Sequence, residues 1–406
     1  MYRSQGGRAR PDAESKEIRL STGFEELRAE LARNGTGNCG EPHDFDLVIV
    51  GSGYGGAVAA RTFAGRMVDG RPARICVLER GRSYQPADFP AQAAMLPGHV
   101  RFDTAAGRSP RGEREGLFDL RIGPDVCTLV ANGLGGGSLI NAGVMLEPSD
   151  EVLASEDWPP AIRDGDLRHF LRRAHVLLDG PRKPPGTKRK DADRSGASAS
   201  GAGAPGAGAQ EANAPGAGAP GAGAQEANAP GADASGAYAP GADALPPAGA
   251  KLQCLAQGFG RGCFSSPPLS IALDRDQETE AGVMLKKCLR CSDCMTGCRH
   301  GSKRSLDTSL LAAAALRGAR IYSGATVLRL SRQTAGPGWL LEVVHTDARL
   351  RKRQGEPLRL SARRVVLAAG SFGSTEILLR SRAPKQLQLS EMLGRGFSTN
   401  GDMIAV

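Results

Sequence analysis

Short apolar runs alternate with glycine-rich turns near the start of the chain. The run Leu47–Val50 is typical of a buried strand, and the turn 51–56 (GSGYGG) follows it directly. Small residues over Ala57–Ala64 predict a helix, and Arg74–Leu78 predicts a second strand that leads to Glu79. This order of elements favours a dinucleotide-binding α/β unit over a strand–turn–helix with incidental glycines. Its glycines would let a pyrophosphate approach the helix N-terminus.

A second glycine-rich turn, Asn132–Gly143 (NGLGGGSLINAG), distinguishes between dinucleotides. A backbone with so few side chains can lie flat against a large planar ligand and present its amides to it, and a nicotinamide-binding domain needs no such turn. Glu79 is expected to accept hydrogen bonds from an adenosine ribose, with Arg80 beside it. The other ligand-contacting residues expected in the two turns are Gly51, Ser52, Gly53, Gly55, Gly56, Gly133, Gly136, Gly137, Ser138 and Asn141.

The hydrophobic pattern resumes in the last quarter of the chain. Ser305 or Asp307 can cap a helix that runs to Arg317, where Gly318 ends it, and Thr375 is expected to start another helix. The predicted strands are Ala319–Ser323, Thr326–Arg332, Trp339–His345 and Leu358–Leu367.

With both turns present, the chain resembles the glucose–methanol–choline (GMC) oxidoreductases. Further segments that carry the resemblance are Trp158-Pro159 with the helix after it, Leu306–Thr326, Val365–Arg382 (VVLAAGSFGSTEILLRSR) and Leu393–Asp402 (LGRGFSTNGD), of which the last two look closest to the bacterial cholesterol-oxidase-like branch. The resemblance implies a Rossmann-like FAD-binding domain of the GMC type. It also implies hydride transfer from the CH–OH group of an alcohol or sterol-like donor to flavin N5, with the electron acceptor left open.

The resemblance also carries over individual residues. The backbone of Val327 is expected to meet the adenine, and Val365–Ala369 resembles the strand that returns beneath the FAD, so that Ala369 and Gly370 join the site. Asn400 and Asp402 complete the expected cofactor contacts.

We assign no catalytic residue, because none of the six histidines matches the late histidine that serves as base in GMC enzymes. The chain is expected to carry a truncated α+β substrate domain. Three hypotheses follow: a truncated family member, the FAD subunit of a two-chain enzyme whose partner supplies the substrate domain, or a flavin–iron–sulfur electron-transfer protein. The first is favoured.

Composition and charge exclude some classes of function. The net charge is +9, but the basic residues are scattered among acidic ones. Aromatic residues make up only 4%, so a nucleic-acid partner is not expected. No signal peptide and no run of about 18 apolar residues is present, which predicts a cytoplasmic protein without an integral membrane segment. The polar stretch 1–43 is expected to form a peripheral arm with one amphipathic helix, Phe24–Arg33.

A Gly/Ala/Pro-rich insert interrupts the domain. Residues 201–215 recur without change at 216–230, and we expect 181–250 to be disordered, because such a composition cannot bury enough apolar surface. The expected organisation is an arm (1–43), FAD-binding segments (44–180 and 304–392) around the insert and a Cys-rich segment (251–303), then the start of the substrate domain (393–406).

Four closely spaced cysteines, Cys288, Cys291, Cys294 and Cys298, form a C-x2-C-x2-C-x3-C motif. The spacing suits a 4Fe-4S cluster, although Arg299 stands where a proline would follow and no second run exists to complete a two-cluster arrangement. Zinc and a loop of structural or redox thiols are the alternatives. Cys39, Cys76 and Cys127 are expected to be small core residues.

Overall fold

A seven-stranded and a four-stranded sheet dominate the described part of the chain. A computed structural model describes residues 20–36, 43–104, 111–124, 126–163, 165, 167–178, 267–334, 336–382 and 387–398. The insert 181–250, most of the arm 1–43, Asn400, Asp402 and Cys39 lie outside the described residues.

The described residues form fifteen strands and eight α-helices. The strands are β1 (Thr22–Gly23), β2 (Phe45–Val50), β3 (Met67–Val68), β4 (Arg71–Pro72), β5 (Ile75–Leu78), β6 (Val100–Thr104), β7 (Arg111–Gly112), β8 (Phe118–Ile122), β9 (Cys127–Ala131), β10 (Gln277–Glu278), β11 (Met284–Leu285), β12 (Arg320–Ser323), β13 (Ala325–Arg332), β14 (Trp339–His345) and β15 (Leu358–Leu367). The helices are α1 (Phe24–Thr36), α2 (Tyr54–Phe63), α3 (Asp150–Leu153), α4 (Pro160–Arg163), α5 (Leu167–Leu178), α6 (Leu310–Leu316), α7 (Ala348–Gln354) and α8 (Gly370–Ser381). Short 3-10 helices occupy Pro86–Asp88, Ala93–His99, Gly136–Leu139 and Asp293–Thr296.

The large sheet has the strand order β1-β12-β5-β2-β15-β14-β13. Its first five strands pair in parallel, whereas β15, β14 and β13 pair antiparallel. Strand β2 lies in the middle, with Val48 opposite Cys76 of β5 and Val365 of β15. A continuous apolar sequence suits this position, since a central parallel strand is covered on both faces.

Each face of the sheet has its own core. Val48 and Val50 of β2 pack in the core that includes residues of α1 and α8. Leu47 and Ile49 point to the opposite face, where α2 and α6 lie. Helix α2 contributes the buried alanines Ala57 and Ala60 to that core, and α6 contributes Leu310, Leu311 and Ala314. The arrangement is a mixed α/β fold.

Helix α1 is an integral part of the fold, so the prediction of a peripheral arm is wrong for this segment. Phe24 and Leu27 are fully buried in the first core, and the short strand β1 just before the helix extends the sheet by pairing with β12. On the same helix Glu30 is buried, accepts a hydrogen bond from the hydroxyl of Tyr322 and pairs with Arg320.

Several predicted elements are confirmed, and the start of two helices is corrected. Strands β14 and β15 have the predicted bounds, and Gly318 follows α6 in the left-handed conformation at φ +91°. Helix α6, however, begins after Ser309, because Thr308 and Ser309 direct their hydroxyls to the carbonyl of Ser305 and close a separate turn. Helix α8 begins at Gly370 and not at Thr375.

The small-core prediction holds for one cysteine and fails for another. Cys76 is fully buried in β5, whereas Cys127 is exposed. Cys127 stands at the first position of β9, opposite the half-exposed Ile122, where the small sheet extends beyond its core. Within the described ranges no helix combines the length and the apolar character needed to cross a membrane.

Replacing Glu30 should loosen α1 from the sheet. The change Glu30→Ala leaves the Tyr322 hydroxyl and Arg320 without their carboxylate, and we expect the free energy of unfolding to fall by about 1–3 kcal/mol. Glu25→Ala, on the exposed side of the same helix, should change it by no more than about 0.5 kcal/mol. Urea unfolding of the full chain measures both; equal effects of the two changes would contradict the docking role of Glu30.

Candidate cofactor-binding site

The first glycine-rich turn is built from backbone contacts too close for side chains. The amide of Gly51 donates to the carbonyl of Leu78 at 2.8 Å, and its φ is +95°. A Cβ on Gly51 would lie 2.4 Å from the carbonyl oxygen of Ala368, and one on Gly56 would lie 1.9 Å from the carbonyl oxygen of Gly51. These two glycines are therefore required by the fold itself, whatever the turn binds.

Gly53 differs from both, because a Cβ there would meet open space. Gly53 is the N-cap residue of α2 and has no side chain that could cap the helix. Its carbonyl accepts a hydrogen bond from the amide of Ala57 at 2.8 Å. A helix N-terminus without a capping side chain keeps amide donors and a positive dipole end for an anion. A Cβ on Gly137 in the second turn or on Gly370 at the start of α8 would also meet open space.

Ser52 and Glu79 join the first turn to the end of β5. One carboxylate oxygen of Glu79 accepts from both the amide and the hydroxyl of Ser52, and the other accepts from the amide of Gly81 at 2.8 Å. The Ser52 hydroxyl in turn accepts from the amide of Gly135 at 2.9 Å. Both side chains are buried, so this chain of hydrogen bonds fixes the two glycine-rich turns relative to each other.

The second turn lies directly against the first. Gly135 and Gly136 have φ of +108° and +54°, and a Cβ on Gly136 would lie 2.9 Å from the Cα of Gly53. The buried hydroxyl of Ser138 donates to the carbonyl of Gly135 at 2.7 Å and accepts from the amide of Leu306 at 3.0 Å. Ser138 therefore supports the turn from within. Gly133, likewise, packs against the side chains of Leu139 and Tyr84.

Tyr54 is a residue of the site that the sequence analysis missed. Its hydroxyl accepts from the side-chain amide of Asn141 at 2.7 Å, which links the first residue of α2 to the end of the second turn. Burial raises the pKa of Tyr54 above its ordinary value although the hydrogen bond from Asn141 opposes it. The only signal in the sequence was the aromatic residue inside the glycine-rich turn.

Two further segments reach the same region. The amide of Ala368 donates to the carbonyl of Val50 at 2.8 Å, which brings Ala369 and Gly370 next to the first turn. The amide of Ala325 donates to the carbonyl of Glu79 at 2.9 Å, so β13, with Val327 buried in it, starts beside Glu79.

The side chain of Arg80 enters an ion cluster beside the start of the second turn. Its guanidinium donates to Asn132 and to the fully buried carboxylate of Asp119, both at 2.7 Å. Asp119 also pairs with Arg101 on the neighbouring strand β6 and with Arg121 on its own strand β8. Burial acts to raise the pKa of Asp119, but the three arginines outweigh it and hold this pKa below its ordinary value of 3.8.

The four clustered cysteines share one loop, but they do not form a ligand set. The thiol of Cys288 accepts from the amide of Arg290 and that of Cys298 from the amide of Ser302, both at 3.3 Å. Burial raises the pKa of Cys294. Among the described residues, which include all four cysteines, no group of three or more His, Cys, Asp or Glu side chains has a geometry that could hold a metal ion. The iron–sulfur cluster stays a prediction, and the geometry lends it no support.

Sequence comparison relates the chain to known oxidoreductases. The sequence model of the GMC oxidoreductase family matches residues 280–399. The chain is 27% identical to a cholesterol oxidase of Mycobacterium tuberculosis, over 89% of this chain and 52% of that protein. It is 23% identical to a cholesterol oxidase of Acinetobacter baumannii, over 89% and 55%. A long-chain-alcohol oxidase of Arabidopsis thaliana is 32% identical over 28% of this chain and 13% of that protein.

The match over residues 280–399 and the similarity to these oxidases support the GMC oxidoreductase family. Within that family the chain is similar to the cholesterol oxidases, which form the branch expected from the sequence. The chain spans about half the length of these curated relatives, 52% and 55% for the two named above.

Neutralising Asp119 should destabilise the protein in a pH-dependent way. The change Asp119→Asn leaves three arginines without their shared carboxylate, and we expect the free energy of unfolding at neutral pH to fall by about 3 kcal/mol. Because the folded pKa is lowered, the carboxylate stabilises the protein above 3.8 and loses this effect as the pH falls through its folded pKa. The difference between the wild type and the variant should therefore shrink in acid.

Urea unfolding at a series of pH values from neutral to below 3.8 measures this difference. Asp69→Asn is the matched control, since Asp69 is exposed and its ion pair among the described residues is with Arg363, and it should cost no more than about 1 kcal/mol. A difference for Asp119→Asn that stays constant on acidification would contradict the role assigned to the cluster.

Proposed function

We propose that this chain binds FAD between its glycine-rich segments and that the protein oxidises the CH–OH group of an alcohol, with sterol-like and long-chain alcohols as the candidate donors. The observation that carries the proposal is the contrast among the glycines. At Gly51 and Gly56 neighbouring backbone atoms occupy the space where a Cβ would lie. At Gly53, Gly137 and Gly370 that space is open. Bare backbone that faces open space is what a large flat cofactor requires.

The residues of the first turn fit the adenosine and pyrophosphate half of FAD. The N-terminus of α2, which begins after Gly53, offers amide donors to the phosphates. Glu79 already accepts two hydrogen bonds from Ser52 on one carboxylate oxygen and one from Gly81 on the other, so the second oxygen keeps a lone pair for a ribose hydroxyl. The backbone of Val327 would meet the adenine from β13, which starts at the carbonyl of Glu79.

The second turn and α8 fit the flavin half. Gly136 and Gly137 present backbone without side chains, and Asn141 offers polar groups at the end of the same turn. Ala369 and Gly370 would approach from the end of the neighbouring parallel strand β15. When bound, FAD supplies the acceptor for the hydride that leaves the carbinol carbon. Arg80 and Ser138 act indirectly in this proposal, because their polar groups hold the loops behind Glu79 and Gly135.

Similarity to cholesterol oxidases and to a long-chain-alcohol oxidase supports an apolar alcohol as the donor.

Two measurements on the full chain separate cofactor binding from substrate oxidation. We expect the purified protein, saturated with FAD and desalted, to retain about one FAD per chain and to show a bound-flavin spectrum. Anaerobic addition of cholesterol or of a long-chain primary alcohol should then bleach the flavin absorbance. Failure to bind FAD would overturn the whole proposal, and FAD binding without bleaching by either alcohol would overturn the substrate part.

A methyl group on Gly53 should block the cofactor without harming the fold. Gly53 has an ordinary φ of −65° and free space at its Cβ position, so Gly53→Ala should change the free energy of unfolding of the FAD-free protein by no more than about 1 kcal/mol. The Kd for FAD should rise about tenfold or more, which corresponds to about 1.4 kcal/mol.

Gly98→Ala is the matched control, because a Cβ there also meets open space but belongs to the 3-10 helix Ala93–His99 and to neither turn. It should leave the Kd for FAD unchanged in a fluorescence titration. If Gly53→Ala binds FAD as tightly as the wild type, the pyrophosphate does not approach this turn.

A further inference from the structure

A buried lysine connects the cysteine loop to the second glycine-rich turn. Lys303 is only 4% exposed although it is a lysine. Its ammonium donates to the backbone carbonyls of Leu139 and Cys294, both at 3.1 Å, and also to that of Asn141. Leu139 and Asn141 belong to the second turn, and Cys294 belongs to the loop of four cysteines.

The three acceptors match the three donors of an ammonium group. Hydrogen bonds from a charged donor are stronger than neutral ones, and an ammonium buried without partners would be costly, so the three carbonyls are held at defined positions. The carboxyl group of Asp307 and the thiols of Cys294 and Cys298 are the titratable groups that act on the ammonium.

The two ends of the turn are fixed by different side chains. Its first half is held by Ser52, which accepts from Gly135, and by Ser138, which accepts from Leu306. Its second half, Leu139 to Asn141, has two carbonyls on Lys303. Asn141 reaches onward to the Tyr54 hydroxyl at the start of α2, so the orientation of its side chain depends on a backbone that Lys303 restrains.

We infer that Lys303 is a positioning residue of the cofactor site: it locks the Leu139–Asn141 half of the second turn against the cysteine loop in the shape that receives the flavin. The inference rests on the proposed FAD site. It also assigns a role to the cysteine loop that needs no metal, because the loop supplies the fixed carbonyl of Cys294 as the third anchor of the ammonium.

The test replaces Lys303 by methionine, which keeps the length of the side chain and removes its donors. Because the three carbonyls lose their donor, Lys303→Met lowers stability locally, and the protection of the central strands β2 and β5 shows whether the variant is folded. Lys286→Met is the matched control, because Lys286 lies on the same segment but is exposed and pairs with Asp276 at 3.2 Å.

The first readout is hydrogen–deuterium exchange of the full chain without FAD. In Lys303→Met, amides in residues 139–143 and 288–298 should exchange about tenfold faster or more, as expected for the loss of hydrogen bonds to a charged donor, while β2 and β5 keep their protection. The second readout is the Kd for FAD, which should rise about tenfold or more, together with a shift of the bound-flavin spectrum. Lys286→Met should match the wild type in both.

Unchanged exchange in the two loops, or an unchanged Kd for FAD, would overturn the inference. Faster exchange spread evenly over β2 and β5 would overturn it as well, because the lysine would then contribute to global stability and not to position. A wild-type chain that binds no FAD contradicts the proposed function, whereas the exchange experiment still tests the restraint on both loops. If Lys303→Met is insoluble, Lys303→Gln, which keeps part of the donor capacity, decides by the same criteria and should show smaller changes in the same direction.

Discussion

The close approach of three backbone segments at the end of β2 is the constraint on which the rest of the site depends. Gly51 and Gly56 have no room for a Cβ, because the carbonyls of Ala368 and of Gly51 itself occupy that space. The contact lets α2 start directly above the sheet and lets the end of β15 return beside it. Strands β5 and β15 both pair with β2 in continuous register, so a shift at the turn would change the pairing in the middle of the sheet.

Buried polar groups turn this close approach into a defined relation between the two glycine-rich turns. Ser52 contacts Glu79 on one side and Gly135 on the other, so the end of β5, the first turn and the second turn share one hydrogen-bond chain. Lys303 restrains the other half of the second turn through backbone carbonyls. Ser52 and Lys303 thus provide hydrogen-bond partners for backbone amide and carbonyl groups of irregular segments, which have no neighbouring strand or helical turn to pair with.

The ion cluster around Asp119 attaches the small sheet to the loop after β5. Arg80 follows Glu79 directly, Arg101 and Arg121 come from β6 and β8, and Arg121 also pairs with Glu376 on α8. A buried ionic cluster is weak grounds for a large net stabilisation, because desolvation offsets much of the attraction. Its geometric effect is clearer, since four elements are oriented around one carboxylate and the backbone beside Glu79 is held with them.

The sequence by itself determined the elements whose signal is local: β2, its turn, α2 and β5 at the front, and β14 and β15 at the back. Burial periodicity and turn sterics act between near neighbours, so a short window carries them. Only the tertiary structure decided that α1 docks through Glu30, whose partners Arg320 and Tyr322 lie 290 and 292 residues away. It also decided that Arg80 and Ser138 turn inward and that Lys303 joins two loops. The partner of a polar side chain is set by the path of the whole chain, and no local pattern records that path.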